Sequence, residues 1–278
     1  MLPRDSHVHS QWSWDALRGS MEATCRRAVE IGLPALVFTE HADFTPWAVS
    51  DGEALPTRWQ ALVSEQVLTP PALDLDSYLE SLERCRHHFP DLRILSGIEL
   101  SEPHWHTAAV EALPKAADFD LVISSVHSLR TDAGLGEVSL AYDALPAADV
   151  VRTYLAETLR MIEQYDGFDV LAHLDYPLRY WPTGAGRFDP ETFEEEFRAV
   201  LRALACKGKA LELNTKLPLS PQLLRWWRAE GGSGITFASD AHEPEMLARG
   251  FPEAVAIAES CGFRPGPTPY DNRERTDG

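Results

Sequence analysis

Short apolar runs alternate with amphipathic stretches along most of this chain. Seven runs rich in apolar and β-branched residues predict strands at 2–8, 35–39, 93–100, 121–126, 170–172, 210–213 and 235–238. Between them, apolar residues at helical spacing predict helices at 20–31, 77–89, 149–165, 190–207, 221–230 and 252–260. The glycine at position 32 and the prolines at 190 and 221 are typical of helix ends and beginnings.

This alternation predicts a parallel sheet with right-handed crossovers. Seven strand–helix units over 278 residues favour a closed or nearly closed α/β barrel over an open sheet. No strand is followed by the Gly-x-Gly-x-x-Gly of a dinucleotide-binding fold. We expect a single domain over residues 1–263 and a flexible tail over 264–278, which is rich in proline and charge.

Histidines and carboxylates follow the ends of the predicted strands. The groups are Asp5-Ser-His7-Val-His9, Glu40-His41, Glu99, His127, His173-Leu-Asp175 and Asp240-Ala-His242. Ligands at the carboxyl ends of parallel strands converge at one face of a barrel. Imidazole and carboxylate together suit zinc, manganese or iron. The pattern therefore predicts a metal-dependent hydrolase.

The spacing within each group carries further information. Two residues apart on an extended chain, His7 and His9 point the same way and can reach one metal. His104 and His106 have the same spacing but lie in a helix-like stretch, where such residues do not share a face, so we expect no metal there. Asp15 is either a further metal ligand or a helix cap.

Composition narrows the choice of partners. A net charge of −18, from 43 acidic and 25 basic residues, argues against a nucleic-acid-binding surface but not against a small phosphorylated substrate. No apolar stretch approaches the roughly 20 residues of a membrane span, and no signal-peptide pattern is present. The four cysteines form no C-x-x-C pair, so we expect them to be reduced core residues of a cytoplasmic protein. Nothing in the sequence indicates the oligomeric state.

Six ordered motifs, D-x-H-x-H, T-E-H, G-x-E, S-x-H, A-H-L-D and S-D-A-H, resemble the polymerase and histidinol phosphatase (PHP) superfamily over nearly the whole chain. Within it, residues 169–175, Glu212-Leu-Asn214-Thr and Ser239-Asp-Ala-His242 resemble the histidinol-phosphatase branch. The resemblance implies a distorted (β/α)7 TIM-like barrel with a trinuclear metal centre. It also implies cleavage of histidinol phosphate to histidinol and phosphate, in histidine biosynthesis.

Carried over motif by motif, the resemblance implies three sites for divalent ions. The first would be held by His7, His9, Glu99 and Asp240. The second would be held by Glu99, His127 and His173, with Glu99 bridging, and the third by Asp15, His41 and His242. Glu40 would orient the ligands from outside these sites.

A cluster of cations suggests a mechanism for phosphomonoester hydrolysis. A metal-bridging hydroxide would attack phosphorus while the metals neutralise the phosphoryl oxygens. His173 would bind metal, and Asp175 would either assist proton transfer or only orient a ligand. The candidates for binding the outer phosphate oxygens are Arg130, Arg160, Arg179 and Lys216, of which the last two follow strand ends.

Two long loops, 43–74 with Trp47 and Trp59 and 128–146 with Arg130 and Tyr142, follow ligand-bearing strands and are expected to shape the substrate site. Three alternatives stay open: a PHP phosphoesterase acting on a nucleotide, a sugar phosphate or a phosphodiester; a metal-dependent deacylase; and a non-catalytic PHP module. The intact set of clusters disfavours the last of these.

Overall fold

The computed structural model describes residues 2–49, 55–113, 119–131, 134–217, 220–268 and 270–275. Its central feature is a barrel of seven parallel strands: β1 (Asp5–Val8), β2 (Ala35–Ala42), β3 (Arg93–Ser101), β4 (Leu121–Ser125), β5 (Val170–Leu171), β6 (Ala210–Asn214) and β7 (Gly234–Ala238). Each strand pairs with the next along the chain, and β1 pairs with β7, which closes the barrel. The predicted α/β barrel is confirmed.

Six helices surround the barrel: α1 (Met21–Ile31), α2 (Leu75–His88), α3 (Ala147–Gln164), α4 (Glu194–Cys206), α5 (Pro221–Ala229) and α6 (Phe251–Ser260). Capping explains the limits of α1. The Ser20 side chain accepts a hydrogen bond from the Ala23 N–H at the start of α1, and Gly32 ends that helix with a φ of 68°. The helix predicted from residue 190 begins instead with a 3-10 turn, Pro190–Phe193.

The strands separate two apolar layers. On β2, Leu36 and Phe38 belong to the large core under the helices, while Val37 belongs to a small cluster inside the barrel. That inner cluster consists of Val37, Leu95, Leu121, Ile123, Val170, Ala172 and Ala210. Gly97 lies among them, where an added Cβ would be 2.7 Å from Thr39 Cγ2 and 2.8 Å from Val37 Cγ1. The narrow barrel interior therefore requires glycine at this position.

The two long loops carry small sheets of their own. Strands Trp47–Ala48, Val63–Ser64 and Val67–Leu68 form one sheet, and Ser128–Thr131 pairs with Gly134–Glu137 in another. Short helices occupy Thr57–Gln60, Thr107–Ala112 and Val138–Ala144. In the last part of the chain, Arg273–Arg275 pairs antiparallel with β7 and with Phe263–Arg264. The flexibility of the tail stays a prediction.

Three local expectations receive an answer. His104 and His106 precede a helix rather than lie within one, since that helix begins at Thr107. Cys25, Cys85 and Cys261 are buried, but Cys206 is exposed at the end of α4, so its predicted core position was wrong. Among the described residues, no helix combines the length and apolar character that a membrane crossing requires.

Candidate metal centre

The predicted strand-end groups converge at the carboxyl end of the barrel. His41 and Glu99 lie near the carboxyl ends of β2 and β3, and His127 and His173 follow β4 and β5 closely. Within the part of the chain that the structure describes, ligand atoms within 4.8 Å of one another form four groups: His9, His41 and His242; His7, His9 and Asp240; His41, Asp43 and His127; and Glu99, His127 and His173. Only His242 among them is not fully buried. The barrel thus concentrates nitrogen and oxygen donors at one place.

Glu99 lies at the centre of this cluster, and its two oxygens face different partners. Oε2 lies 3.1 Å from His7 Nε2, 3.4 Å from His9 Nε2 and 3.2 Å from His41 Nδ1. Oε1 lies 3.0 Å from His173 Nε2 and 3.4 Å from His127 Nε2. A carboxylate with this arrangement can bridge two cations.

Asp15 lies beside a third group of side chains. Its Oδ2 atom is 3.0 Å from His242 Nε2 and 3.4 Å from His41 Nε2. Its other oxygen, Oδ1, is buried without a hydrogen-bond partner. Asp240 Oδ1 connects this group to the first one, at 3.4 Å from His242 Nδ1 and 3.6 Å from His9 Nε2. The three ligand sets expected from sequence are therefore adjacent.

The chemistry of the donor set fits divalent cations. The Nε2 atoms of His7 and His9 face each other at 2.9 Å, and those of His127 and His173 do so at 3.3 Å. Two imidazole nitrogens this close repel unless a proton or a cation lies between their lone pairs, and buried carboxylates are costly unless a proton or a cation satisfies them. A mixed nitrogen and oxygen set of this kind suits zinc, manganese or iron.

Burial and neighbouring charges shift the pKa values of the cluster histidines in different directions. Burial lowers the pKa of His7, but Glu212, Glu99 and Asp240 outweigh burial and raise this pKa well above its ordinary value. For His173 burial dominates and lowers the pKa to about 4. The histidine charges hold the pKa of the buried Glu99 well below its usual range, despite the opposing effect of burial. Cations entering the site therefore displace protons from some histidines and not from others.

Side chains outside the cluster fix the imidazole rings. The Glu212 carboxylate lies 2.8 Å from His7 Nδ1 and also accepts the His173 backbone N–H at 3.0 Å. Ser13 Oγ lies 2.9 Å from His9 Nδ1, and Glu40 accepts hydrogen bonds from the Ser13 hydroxyl. These contacts determine which ring nitrogen faces the cluster. Glu40 thus reaches the cluster through Ser13.

Sequence reasoning missed several of these residues. In the sequence, Glu212 belongs only to a motif and Asp43 only to the start of a loop, so neither is predicted to contact a ligand. Alternation along the strands could have found both, since Asp43 comes two residues after His41, and Glu212 is on β6 two residues before Asn214. Asp240 is predicted from the sequence, and the structure adds that its backbone φ is 51°, in the left-handed region. Such strain in a non-glycine residue is typical of functional sites.

A cavity of about 320 Å³ opens above the cluster. Arg179 and Lys216 line it, and both contact Asp240: Arg179 Nη2 lies 2.6 Å from Oδ2, and Lys216 Nζ lies 3.1 Å from Oδ1. Asp175 instead lines a neighbouring cavity of about 530 Å³, together with Glu212. Burial raises the pKa of Asp175 to about 6, against the opposing charge of Arg179.

The other two predicted phosphate-binding residues lie elsewhere. Arg160 is exposed on α3, where it pairs with Glu157, and Arg130 is exposed and stacks 5.3 Å from the centre of the Trp105 ring. Neither lines the cavity above the cluster. Helices of an α/β barrel lie outside its wall, so a side chain on the outer face of α3 cannot reach the mouth.

A closed α/β barrel with histidines and carboxylates gathered at the carboxyl ends of its strands defines a barrel hydrolase of the metal-dependent class. The profile of the PHP domain matches residues 5–216, so the chain belongs to the PHP domain family.

Known relatives agree with this assignment. A Lactococcus lactis protein named histidinol-phosphatase is 27% identical over 271 residues, covering 95% of this chain and 93% of its own length. The crystal structure of histidinol phosphate phosphatase from Lactococcus lactis, complexed with zinc, L-histidinol and phosphate, superimposes with a TM-score of 0.78 at 26% identity and covers 94% of both chains. A Listeria monocytogenes structure shares the fold, with a TM-score of 0.68 at 18% identity over 90% of this chain and 99% of its own.

Proposed function

We propose that this protein is a metal-dependent phosphomonoester hydrolase that converts histidinol phosphate and water to histidinol and phosphate. One observation carries the proposal: Glu99 presents its two oxygens to two different histidine groups at the base of a cavity that Arg179 and Lys216 also line. The name of the Lactococcus lactis relative, and the L-histidinol and phosphate in the Lactococcus lactis structure, support this choice of substrate.

We propose that three divalent cations are held by His7, His9, Glu99 and Asp240, by Glu99, His127 and His173, and by Asp15, His41 and His242. Zinc, present in the Lactococcus lactis structure, is our first choice of metal. When bound, such cations lower the pKa of a coordinated water and neutralise charge on phosphoryl oxygens.

Arg179 and Lys216 would bind the phosphate. Both already direct their positive charge at Asp240, on the inner side of the cavity. The Arg179 guanidinium also lies 4.8 Å from the centre of the Tyr176 ring, which limits its freedom, and its Nε atom is buried without a hydrogen-bond partner. A guanidinium held in this way has donors free for the oxygens of a phosphate dianion.

Asp175 would supply the proton to the departing alcohol. Its pKa of about 6 keeps part of the population protonated near neutral pH, as a general acid requires. The side chain lines the neighbouring cavity, so this role requires it to turn toward the cluster. In the alternative role, Asp175 stays where it is and only orients neighbouring ligands.

The decisive experiment compares kcat/KM of the metal-loaded protein for histidinol phosphate, sugar phosphates, nucleotides and a phosphodiester, with metal content measured on the same samples. We expect about three equivalents of metal and the highest kcat/KM for histidinol phosphate. A higher kcat/KM for the diester or a nucleotide would mean that the protein is a PHP phosphoesterase with a different substrate. Absence of any phosphatase activity in metal-loaded protein would refute it.

A further inference from the structure

One wall of the cavity above the cluster is built from tryptophan. Trp14, Trp47 and Trp59 all line it. The Trp14 ring centre lies 5.4 Å from that of Trp47 and 5.0 Å from that of Trp59, with tilted or edge-on planes. Three indoles from separate parts of the chain thus form one aromatic surface. The proposed hydrolysis assigns no role to it.

Hydrogen bonds tie two of these rings to the cluster's surroundings. The Trp14 Nε1 atom donates to Asp43 Oδ2 at 2.8 Å, and Trp47 Nε1 donates to Ser128 Oγ at 2.7 Å. Trp59 Nε1 is buried without a partner. The rings of Trp14 and Trp47 are therefore held in place by hydrogen bonds. The Trp59 N–H, in contrast, has no acceptor among the described residues.

A carboxylate lines the same cavity. Glu137 accepts a hydrogen bond from the Tyr176 hydroxyl at 2.9 Å and another from the Ser139 N–H at 2.9 Å. It is held in place by neutral donors, and no cation is paired with it among the described residues. Its negative charge is therefore available to a ligand in the cavity.

The carboxylates of the cluster, Asp15, Asp43, Glu99 and Asp240, also line the cavity, and its other charged side chains lie on two sides. Arg179 and Lys216 follow β5 and β6, whereas Trp47 and Glu137 belong to the loops that follow β2 and β4. The Tyr176 ring lies between the two sides, with Arg179 over its face and Glu137 at its hydroxyl. A ligand that fills the cavity meets cations at one side, and aromatic faces with an anion at the other.

We propose that Trp14, Trp47, Trp59 and Glu137 form a specificity subsite for a planar or compact cation on the leaving alcohol of the substrate. This inference rests on the proposed phosphatase function and adds the reason for its selectivity. Indole faces attract cations, and a carboxylate adds direct attraction. Phosphate esters of neutral alcohols gain nothing from either group, and esters with a second anion are repelled by Glu137.

The test uses the metal-loaded protein and two substrates, histidinol phosphate and glycerol phosphate, whose alcohol is uncharged. We expect Glu137→Gln and Trp59→Leu to lower kcat/KM for histidinol phosphate by about 5- to 30-fold, mainly through KM, since this range corresponds to about 1 to 2 kcal/mol, the contribution of a cation–π contact that is largely desolvated. Glycerol phosphate should change by less than about threefold. Trp59→Phe keeps an aromatic face and should recover most of the loss.

Matched controls are Glu163→Gln on the exposed side of α3 and Trp181→Leu, neither of which lines the cavity. Both should leave the ratio of the two kcat/KM values unchanged. Equal losses on both substrates in the Glu137 and Trp59 variants, or no recovery in Trp59→Phe, would overturn the subsite.

A binding measurement separates this inference from the proposed function. Titration of the metal-loaded protein with L-histidinol in the presence of inorganic phosphate, followed by calorimetry, should show binding that Glu137→Gln weakens and Glu163→Gln does not. Wild-type protein that hydrolyses neither ester but binds L-histidinol in this way would refute only the phosphatase. Hydrolysis of both esters with equal kcat/KM would refute only the subsite.

Discussion

The two ends of the barrel are built from the same seven strands, but one end is lined by apolar side chains and the other by carboxylates and imidazoles. Near the amino ends, the inward side chains form an apolar cluster that includes Leu95 and Ile123. Four residues further along the chain from each of these, the inward side chains are Glu99 on β3 and His127 just beyond β4. One end buries hydrocarbon, and the other buries charge. The first stabilises the barrel, and the second needs cations to compensate for its desolvation.

Backbone strain follows the same division. Asp240 and Glu102, both near the carboxyl ends of strands, have φ values of 51° and 44°. Glu102 accepts the backbone N–H groups of His127 and Ser128 at 2.5 and 2.7 Å, so its unusual conformation helps to fix a residue of the cluster. Strain of this kind persists where the surroundings determine the conformation. The comparison predicts that substitutions at the charged end lower activity and leave the fold intact. Substitutions at the apolar end should instead lower stability and leave activity nearly intact.

The largest effect is expected at the charged end. His173→Ala should lower kcat by on the order of 10³-fold, because it removes a proposed cation ligand and leaves Glu99 Oε1 with one fewer partner. The helices and the apolar end are untouched, so the far-ultraviolet circular dichroism of the purified variant should match that of the wild type. His87→Ala, at an exposed position of α2, serves as the control. A variant with near-normal turnover would contradict the role of His173.

The apolar end should behave in the opposite way. Ile123 is fully buried inside the barrel, and Ile123→Ala should lower the free energy of unfolding by about 2 to 5 kcal/mol through lost burial and a residual cavity. Its kcat at a temperature where it stays folded should fall by less than about threefold. Urea denaturation measures the first quantity and steady-state kinetics the second. Val29→Ala, at an exposed position, should change stability by less than about 0.5 kcal/mol.

The sequence predicted the barrel and the cluster well, for one physical reason. Strand alternation and the convergence of strand ends are properties of local spacing, so His7, His41 and Glu99 could be placed together without coordinates. The tryptophan wall could not be derived in this way. Trp14 and Trp59 meet only because the segment after β1 and the long loop after β2 fold over the mouth, and no short-range pattern encodes that contact.

The candidate phosphate ligands show which sequence feature was informative. Residue type made Arg160 and Arg179 both candidates, but only Arg179 follows a predicted strand end. Arg160 is on the outer face of a helix, and Arg179 is on the 3-10 turn that directly follows β5 and the cluster. Position relative to a strand end was the informative signal, and charge was not.

A smaller effect should distinguish orienting residues from ligands. Glu212→Gln weakens the contact with His7 Nδ1 without removing any proposed ligand. Metal affinity should fall by about 10- to 100-fold, the range found for such outer contacts, while the protein stays folded. Competition with a chelator measures this change. Glu195→Gln, exposed on α4, is the matched control, and an unchanged affinity in Glu212→Gln would leave Glu212 with only a structural role.

The last prediction concerns a slope with pH and not the loss caused by a substitution: metal affinity should depend on pH, which reports on the electrostatics of the charged end. Nearby carboxylates outweigh burial and raise the pKa values of His7 and His41 well above the ordinary value, so both are protonated in the metal-free protein at neutral pH. A cation has to displace those protons, and affinity should fall by about tenfold per pH unit for each proton as the pH is lowered from 8 to 6. The pKa of Glu99 is held well below its usual range, so its ionisation adds nothing over this interval. Chelator competition at several pH values, with calorimetry in buffers of different ionisation enthalpy to count released protons, gives the slope. A metal affinity independent of pH would mean that the carboxylates do not keep these histidines protonated, and the charged end would then differ from the apolar end less than the structure indicates.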